Sequence, residues 1–324
     1  MPGAESRRAE SVGAADLTTI VVNWNTVGLL DDCLASIVAA TPADVVNRVV
    51  VVDNASSDGS VAHLAAAWPQ VEVLVNEANE GFCRANNRAI RASDSPYVLL
   101  VNTDARLTPG SIAAMLAYFR RDERAAVVGP RLEYADGSFQ RWTAGSRFDL
   151  AGAARYLLML DRIAPTRAAG IYLARDTDRP FRPAWVSSAV MALRRSALDE
   201  VGLLDEQIFV YMDDVDLCDR LTVRGWHVWY AADTTAVHFM GASALRSPAD
   251  GAASRRALHA LNAWFARRYG RRRALTLRGL EVLGFGVRAA LCGIAAATGS
   301  SPSARARMRT HLAHARFALE PVHD

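Results

Sequence analysis

The chain has 324 residues, of which 51% are hydrophobic and 22% are charged, and its formal net charge is +3. This composition is typical of a globular protein and excludes a disordered chain, a collagen-like fibre and a disulfide scaffold. The four cysteines, Cys33, Cys83, Cys218 and Cys292, are widely spaced and form no CxxC pair, which argues against a zinc ribbon and predicts reduced, intracellular thiols.

Taken in chain order, the sequence begins with a polar stretch of 16 residues that includes Arg7 and Arg8 but no apolar core. This pattern predicts a flexible arm over residues 1–16 rather than a signal peptide. Between residues 17 and 130, short apolar runs alternate with helical patterns, which predicts an α/β fold with a mainly parallel sheet and helices on both faces. The predicted strands are Leu17–Asn23, Arg48–Asp53, Val71–Val75, Tyr97–Val101 and Ala125–Gly129. The predicted helices are Gly28–Ala40, Gly59–Ala67, Phe82–Ala92 and Pro109–Arg121, with Ser60 as a candidate cap and Pro109 in a first turn.

The second half of the chain begins with a less regular stretch, residues 131–183, which predicts loops and short helices over the sheet edge. An ordered block follows. It comprises an extended segment at Trp185–Leu193, helices at Arg195–Val201 and Leu217–Arg224, and a strand at Trp226–Tyr230. We therefore expect two halves of one domain, 17–130 and 131–250, followed by an arginine-rich helical region over 251–324.

The C-terminal region holds most of the positive charge. Residues 255–324 contain 13 arginines and three acidic residues, for a net charge of +10, whereas residues 1–254 carry −7. Such a region favours phosphate-bearing partners, with Arg267, Arg268 and Arg271–Arg273 as candidate contacts. Its longest apolar stretch, Gly279–Gly299, contains Glu281 and Arg288, so it is either a helix lying on a membrane face or a helix packed on the core.

Polar residues follow each of the first four predicted strands. They are Asn23-Trp24-Asn25, Asp53 to Gly59, Asn76 with Asn79-Glu80-Gly81, and Asn102-Thr103-Asp104. Ligands of such sheets bind beyond the carboxyl ends of the strands, so these residues predict one binding edge. No GxGxxG follows the first strand and no GxxxxGK[ST] occurs, which argues against a dinucleotide dehydrogenase and a P-loop enzyme.

Five acidic or histidine residues at three places in the chain suggest a metal site or catalysis, and each place has a structural alternative. Asp104 is either a ligand of Mg²⁺ or Mn²⁺ or a helix cap. The group Asp213, Asp214 and Asp216 is either a solvated helix start or the source of a general base. If a helix begins near Asp213, then Asp213 and Asp216 share a face and Asp214 points elsewhere. His238 either completes a metal site or is structural.

The chain resembles family 2 inverting glycosyltransferases of the GT-A fold, and in particular bacterial rhamnosyltransferases that use dTDP-rhamnose. The resemblance extends from about Leu17 to Ser243. The segments that carry it are VVVVDNASSDGS, NEANEGFCRANNRAI, LLVNTDA, FVYMDDVDLCDRL and HFMGAS.

The resemblance implies a donor side. Asp53, with the backbone around Asn23–Asn25, matches the nucleobase and ribose site. Asn79, Gly81 and Asn86 match an NxGxxxxxN region beside the nucleotide. Asn102-Thr103-Asp104 matches a DxD-like element in which Asp104 binds the diphosphate and a divalent cation, Mg²⁺ or Mn²⁺, and His238 matches a further metal ligand.

The resemblance also implies a catalytic and an acceptor side. Asp214 falls on the catalytic base, and Asp213 replaces the more usual Glu, with Asp216 in a supporting position. Trp185, Ser187 and Ser188 lie in the acceptor-side segment, where the family usually carries a glycine.

The expected function is therefore the transfer of L-rhamnose from dTDP-rhamnose to an acceptor hydroxyl, in particular on a polyprenyl-diphosphate-linked saccharide of the cell envelope. The alternatives are a glycosyltransferase that uses another nucleotide sugar or a soluble acceptor, and an inactive nucleotide-binding scaffold. The arginine-rich region predicts a cytoplasmic protein that lies peripherally on the anionic inner face of the plasma membrane. No nucleic-acid-binding motif accompanies the arginines, so we expect no nucleic-acid partner.

Overall fold

The computed structural model describes residues 15–160, 170–173, 176–239, 252–298 and 303–321. Most of the predicted arm, and Met240–Ser243 of the last family-like segment, lie outside these ranges. The strands are β1 (Leu17–Asn23), β2 (Asn47–Asp53), β3 (Glu72–Val75), β4 (Tyr97–Asn102), β5 (Ala105–Leu107), β6 (Ala125–Glu133), β7 (Ala144–Gly145), β8 (Trp185–Val186), β9 (Val190–Arg194) and β10 (His227–His238). The helices are α1 (Val27–Ala40), α2 (Ser60–Ala67), α3 (Phe82–Arg91), α4 (Ser111–Arg121), α5 (Leu150–Leu157), α6 (Arg195–Val201), α7 (Asp213–Val223), α8 (Ala252–Tyr269), α9 (Arg271–Ala297) and α10 (Ala304–Phe317).

An eight-stranded mixed sheet forms the centre of the molecule, in the order β3-β2-β1-β4-β9-β6-β10-β5. The β3, β2, β1 and β4 strands are parallel neighbours, and β6 is parallel to β10. The β9 strand runs antiparallel between β4 and β6. Residue 130, where the sequence suggests a boundary, lies inside β6, so both predicted halves contribute strands to this sheet.

The central strands are rich in Val, Ile and Leu because both faces of the sheet are covered. Ile20 and Leu100 belong to the core on one face, whereas Val21 and Val101 belong to the core on the other face. This alternation follows from the two-residue period of a strand. The polar residues after these strands therefore reach one edge of a buried sheet.

Several predicted boundaries were wrong. The segment Trp185–Leu193 divides into two strands, of which β8 pairs with β7 and β9 joins the main sheet. Next to β8, the backbone N–H of Ser187 donates to the carbonyl of Thr143 (2.8 Å), which holds this part of the segment away from the main sheet. The α4 helix begins at Ser111 after a left-handed Gly110 (φ 80°), so Pro109 precedes its first turn. The α7 helix begins at Asp213 rather than Leu217, where three carboxylates favour the positive end of the helix dipole.

The last three helices pack on the domain. Trp264 and Phe265 of α8 are buried in the core that covers one face of the sheet. The Arg288 guanidinium of α9 donates to the carbonyl of Tyr156 in α5, and Arg278 donates to the carbonyl of Ala318 just after α10 (2.8 Å). Within the described residues, α9 is also the one helix long and apolar enough to cross a membrane by length and composition.

Candidate active site

The loops after β1 and β2 are joined by a buried hydrogen-bond network. Asn23 Nδ2 donates to Asp53 Oδ2 (2.7 Å) and to Ser56 Oγ (3.1 Å). The other oxygen of Asp53 accepts the backbone N–H of Ser56 (2.8 Å). Asn23 and Asp53 have no exposed surface, so in this structure they shape the loop from below. That Asp53 lies at the nucleobase and ribose site stays a prediction.

Asn25 lies at the surface of the same edge, in the left-handed region with φ 55°. Its Oδ1 accepts the backbone N–H of Ser57 (2.7 Å), and its own N–H donates to Ser56 Oγ (2.9 Å). A non-glycine residue in this region is uncommon, although Asn tolerates it better than most residues. The network thus fixes a shallow edge formed by the loops after β1 and β2.

The loop after β3 is joined to this edge by Asn54, a member of the polar group that follows β2. Asn54 Nδ2 donates to the carbonyl of Gly81 (3.2 Å), and its Oδ1 accepts from Asn76 Nδ2 (2.7 Å). Asn79 Oδ1 accepts the N–H of Gly81 (3.0 Å). Asn54 and Asn76 are both buried, so the three strand ends form one connected surface.

Gly81 is required by close backbone contact. Its φ is 85°, and a Cβ at this position would lie 2.6 Å from the carbonyl oxygen of Phe209. That same oxygen accepts the N–H of Phe82 (2.7 Å). The loop after β3 is therefore bonded directly to the segment that leads into α7.

Of the neighbouring residues Asn86 and Asn87, the prediction chose the one that does not fit the NxGxxxxxN pattern. Asn86 Nδ2 donates to the carbonyl of Phe82 within α3 (2.9 Å), and the residue is buried. The neighbouring Asn87 instead exchanges hydrogen bonds with the backbone of Leu204, at 2.8 and 3.1 Å. Five residues separate Gly81 from Asn87, as the NxGxxxxxN spacing requires, so Asn87 is the residue that matches the pattern and it ties α3 to the 204–206 loop.

Asp104 and His238 are brought together by the antiparallel pairing of β5 with β10. His238 lies opposite Ala105 in this pair, and its Nε2 is 3.3 Å from Asp104 Oδ1. The side chains are only 2% and 12% exposed, and the N–H of Phe239 donates to the carbonyl of Asp104 (2.8 Å). Asp104 is thus held by a strand pair and is not the cap of α4.

These two residues fit a divalent cation that shares its shell with a phosphorylated ligand. The Asp104 carboxylate oxygen and the His238 ring nitrogen lie 3.3 Å apart, and Mg²⁺ sites commonly use one or two protein ligands plus substrate phosphates. Among the described residues, no group of three or more His, Cys, Asp or Glu side chains converges as a metal cage. Asn102 is partly exposed, and its backbone N–H donates to the carbonyl of Ala189 (2.9 Å).

The first turn of α7 holds two carboxylates against Ser188. The Ser188 hydroxyl lies toward Asp213 and its backbone N–H toward Asp214. Burial raises the pKa of Asp213, and burial together with the Asp213 charge raises the pKa of Asp214 to about 8. Within the described residues, Asp213 Oδ2 has no hydrogen-bond partner. Such a pair is poised to take up a proton.

Asp216 does not belong to this pair. Its Oδ1 accepts the indole N–H of Trp264 (3.0 Å) and its Oδ2 accepts from Arg220 (2.8 Å). Asp216 is therefore fixed by structural partners, whereas Asp213 and Asp214 lie together at Ser188. That Asp213 and Asp216 share a helix face while Asp214 points elsewhere stays a prediction. The preceding Tyr211 and Met212 both have φ 66°, a strained turn that directs the start of α7.

The residues expected on the acceptor side lie beside Ser188. Trp185 is buried and donates its indole N–H to the carbonyl of Ile171 (3.1 Å). Its ring meets Tyr172 edge-on, with centroids 6.0 Å apart, and Ser187 Oγ accepts the N–H of Ala189 (3.3 Å). Trp185 and Ser187 therefore support the segment, and Ser188 is the one that reaches the carboxylates.

The comparison with known families decides the class of protein. Residues 18–202 match the family described as Glycosyl transferase family 2. The chain belongs to this family. Its reaction is therefore glycosyl transfer, and the expected α/β fold of glycosyltransferases is confirmed.

Two relatives and two solved structures illustrate the match. The glycosyltransferase is 32% identical over 246 residues to an N-acetylglucosaminyl-diphospho-decaprenol L-rhamnosyltransferase of Mycobacterium tuberculosis, across 72% of this chain and 79% of that one. It is 29% identical over 200 residues to a pre-mycofactocin glycosyltransferase of the same organism, across 59% and 37%. Its fold is similar to that of the mannosyltransferase PcManGT from Pyrobaculum calidifontis in complex with GDP-Man and Mn2+, with a TM-score of 0.58, 19% identity and coverage of 95% and 86%. It is also similar to GalNAc-T7 with UDP, GalNAc and Mn2+, with a TM-score of 0.52 and 14% identity, and it spans 44% of that chain.

The structure of this glycosyltransferase adds supporting residues to those predicted for the site. Asn54, Asn87 and Trp264 connect the site loops to each other and to α8. Gln140 contacts the imidazole of His238 from the less regular segment of the chain. The second asparagine of the Asn86-Asn87 pair was visible in the motif spacing, whereas the other contacts arise between residues far apart in sequence.

Proposed function

We propose that this glycosyltransferase moves L-rhamnose from dTDP-rhamnose to a hydroxyl of a polyprenyl-diphosphate-linked saccharide, with inversion at the anomeric carbon. The donor and acceptor classes are supported by the relative named as an N-acetylglucosaminyl-diphospho-decaprenol L-rhamnosyltransferase. The observation that carries the mechanism is the pair Asp213 and Asp214 at the start of α7, where the pKa of Asp214 is raised to about 8.

Asp214 is proposed as the general base, because a carboxyl whose pKa lies near neutral pH accepts a proton more readily than an ordinary carboxylate. It takes the proton of the acceptor hydroxyl as that oxygen bonds to the anomeric carbon. The bond from that carbon to the diphosphate breaks, and the nucleoside diphosphate leaves with the electron pair. Ser188 and Asp213 hold Asp214 in place, and Trp185 and Ser187 support the Ser188 segment.

The donor is proposed to lie along the edge formed by the loops after β1, β2 and β3. The partly exposed side chains of this edge include Asn25 and Asn79, and the Gly81 backbone is bonded to Asn79. Asn23 and Asp53 fix the edge from inside. Asp104 and His238 would hold Mg²⁺ or Mn²⁺ beside the donor diphosphate, with Asn102 in the same loop. When bound, such a cation stabilises negative charge on the leaving diphosphate.

The test is transfer from dTDP-rhamnose to a synthetic polyprenyl-diphosphate-linked N-acetylglucosamine, with separate measurement of donor binding. The Asp214→Asn variant is expected to lower kcat by about 10²–10⁴-fold while it binds dTDP-rhamnose as the wild type does. Asp44→Asn, at an exposed position, is the matched control. Near wild-type turnover in Asp214→Asn would refute the base assignment.

The donor assignment is tested on the same protein with UDP-galactofuranose, UDP-glucose, UDP-N-acetylglucosamine and GDP-mannose. Selective use of dTDP-rhamnose is expected. Selective use of another sugar nucleotide would refute the rhamnosyl assignment and keep the base assignment. Loss of turnover after removal of divalent ions with EDTA, restored by Mg²⁺ or Mn²⁺, is expected if Asp104 and His238 bind a cation.

We also propose that the protein lies peripherally on the cytoplasmic face of an anionic membrane, through α9. Leu283, Val287, Leu291 and Ile294 follow each other on one face of this helix and are 40–62% exposed. The opposite face is packed, since Leu277, Glu281 and Ala289 are buried. A helix with one packed and one apolar exposed face suits a membrane surface better than a span across the bilayer.

The charges that favour this surface are three of the five arginines first expected. Arg267 and Arg268 are paired with Asp205 and Asp219, so they are engaged within the protein. Arg271–Arg273 are exposed at the start of α9 and add positive charge at that end of the helix. Each arginine near an anionic surface contributes about 1 kcal/mol.

Vesicle sedimentation tests this location. The protein is expected to bind vesicles that contain phosphatidylglycerol and to bind phosphatidylcholine vesicles less, with the difference reduced by salt. The double variant Leu291→Gln/Ile294→Gln is expected to lower binding about tenfold or more, given the apolar area removed. Val38→Gln, an exposed apolar position on α1, is the control. Equal binding by all three proteins would refute the α9 surface.

A further inference from the structure

A buried glutamine contacts the candidate metal ligand His238 through the other nitrogen of its ring. Gln140 is 1% exposed. Its Oε1 is 3.1 Å from His238 Nδ1, while His238 Nε2 is 3.3 Å from Asp104 Oδ1. The imidazole thus lies between an amide and a carboxylate, with one ring nitrogen toward each.

The orientation of the Gln140 amide is determined by its other contacts. Its Nε2 donates to the backbone carbonyl of Glu133 (3.3 Å) and to the backbone carbonyl of His238 itself. Carbonyl oxygens only accept hydrogen bonds, so the amide nitrogen must occupy this side and the amide oxygen must face the imidazole. The ambiguity that usually affects glutamine side chains is absent at this residue.

The amide oxygen in turn determines the form of His238. An amide oxygen can only accept, so Nδ1 must carry a hydrogen, and in the neutral ring this leaves Nε2 with its lone pair. That lone pair points toward the carboxylate of Asp104, a combination of two acceptors that suits a shared cation. The backbone of Gln140 is also fixed, since its N–H donates to the carbonyl of Leu132 and its carbonyl accepts from Thr143 Oγ1, both at 3.0 Å.

We infer that Gln140 is a positioning residue that holds His238 as the Nδ1–H tautomer and presents the Nε2 lone pair beside Asp104. Partners of this kind on metal-binding histidines fix the tautomer and the ring orientation, and their removal commonly lowers metal affinity about 10–100-fold. The tautomer itself follows from contacts within the chain. Only its use in cation binding rests on the proposed function.

The tautomer is measured directly by NMR of protein labelled with ¹⁵N-histidine. The chain has seven histidines, and the His238→Gln variant assigns the signal. The wild type is expected to show a protonated Nδ1 and an unprotonated Nε2 at a pH where the ring is neutral. Gln140→Met, which keeps the side-chain length and removes both hydrogen-bonding groups, is expected to lose this preference. A wild-type Nε2–H tautomer, or an unchanged signal in Gln140→Met, would overturn the inference.

Thr143→Val is the matched control, because it removes a buried hydrogen bond to the backbone of Gln140 without touching His238. It is expected to retain the Nδ1–H signal. Thermal unfolding of all variants shows whether each is folded. If Gln140→Met does not fold, Gln140→Leu replaces it, since it also lacks both hydrogen-bonding groups and is expected to lose the Nδ1–H preference.

Titration with Mn²⁺ alone, followed by the electron paramagnetic resonance of free Mn²⁺, tests the use of the tautomer. Gln140→Met is expected to lower Mn²⁺ affinity at least tenfold, and to cause no further loss in a His238→Ala background, because it acts through that ring. A further loss in that background would overturn the positioning role. Wild-type protein that binds no Mn²⁺ but shows the Gln140-dependent tautomer would refute the proposed metal site and leave the positioning role standing.

Discussion

The buried carboxyl of Glu281 is expected to make the free energy of unfolding depend on pH. This residue of α9 is 1% exposed, and its Oε2 accepts from Asn262 Nδ2 of α8 (2.9 Å). Within the described residues, Glu281 Oε1 and Asn262 Oδ1 both lack a hydrogen-bond partner. Burial raises the pKa of Glu281 from 4.5 to about 7, so at low pH the carboxyl can carry the proton that these two oxygens lack.

The sign of the effect on stability follows from this pKa. Between pH 4.5 and about 7 the folded chain keeps the Glu281 proton and the unfolded chain has lost it. The contribution of Glu281 to stability is therefore complete below pH 4.5 and is lost as the pH rises through 7. One pKa unit corresponds to about 1.4 kcal/mol, so ionised Glu281 destabilises the folded chain by about 3 kcal/mol at pH 8.

The Glu281→Gln variant should remove this cost. Its amide oxygen can accept from Asn262 Nδ2, and its amide N–H can donate to Asn262 Oδ1. The variant is expected to exceed the wild type in free energy of unfolding by about 1 kcal/mol at pH 5 and by about 3 kcal/mol at pH 8.

Urea unfolding followed by circular dichroism at the two pH values measures this difference. Glu123→Gln, at an exposed position, is the control and should show no widening gap. A gap of equal size at pH 5 and pH 8, or a variant less stable than the wild type at pH 8, would refute the reasoning.

Three further predictions concern the site and its supports. The rate of glycosyl transfer should rise from pH 6 to about 8, because the pKa of Asp214 is raised to about 8 and the base must be ionised. A kcat/KM profile that is flat over this pH range would contradict the role of Asp214. Gly81→Ala should destabilise the protein by about 1–3 kcal/mol more than Gly110→Ala. Both residues have positive φ, but only a Cβ at Gly81 would meet a backbone oxygen, at 2.6 Å. Equal shifts in thermal unfolding for the two variants would count against the close contact. Trp264→Phe should cost about 1.5–3 kcal/mol in urea unfolding, because the indole bond to the Asp216 carboxylate (3.0 Å) is lost; an unchanged midpoint would argue that α8 is held by other contacts.

The regular elements of the first half were predictable because each depends on residues close in sequence. The β1 strand, Leu17–Asn23, has the predicted bounds, and α1 begins one residue before its predicted start. Buried strands are short apolar runs and amphipathic helices have a repeating pattern, so both are visible in a local window. The same holds for the family resemblance, which rests on short motifs and is confirmed.

Predictions failed where a distant partner determines the structure. The α7 helix begins four residues earlier than predicted, with Asp216 taken by Trp264 of α8, 48 residues away. The split between β8 and β9 depends on a second small sheet formed with β7. Neither contact leaves a periodic signal in the segment that it changes.

The candidate site shows the same division. Its residue types could be chosen from the sequence by itself, since their chemistry is a property of each side chain. They are the polar strand ends, Asp104, the aspartates of α7 and His238. Their working arrangement was decided by the tertiary structure: Asp53 is buried under the loops, Asp104 faces His238 across β5 and β10, and Gln140 meets His238 from 98 residues away. Burial, distance and the available hydrogen-bond partners determine which of these groups titrate, bind or only support, and all three depend on contacts between segments that the sequence does not place side by side.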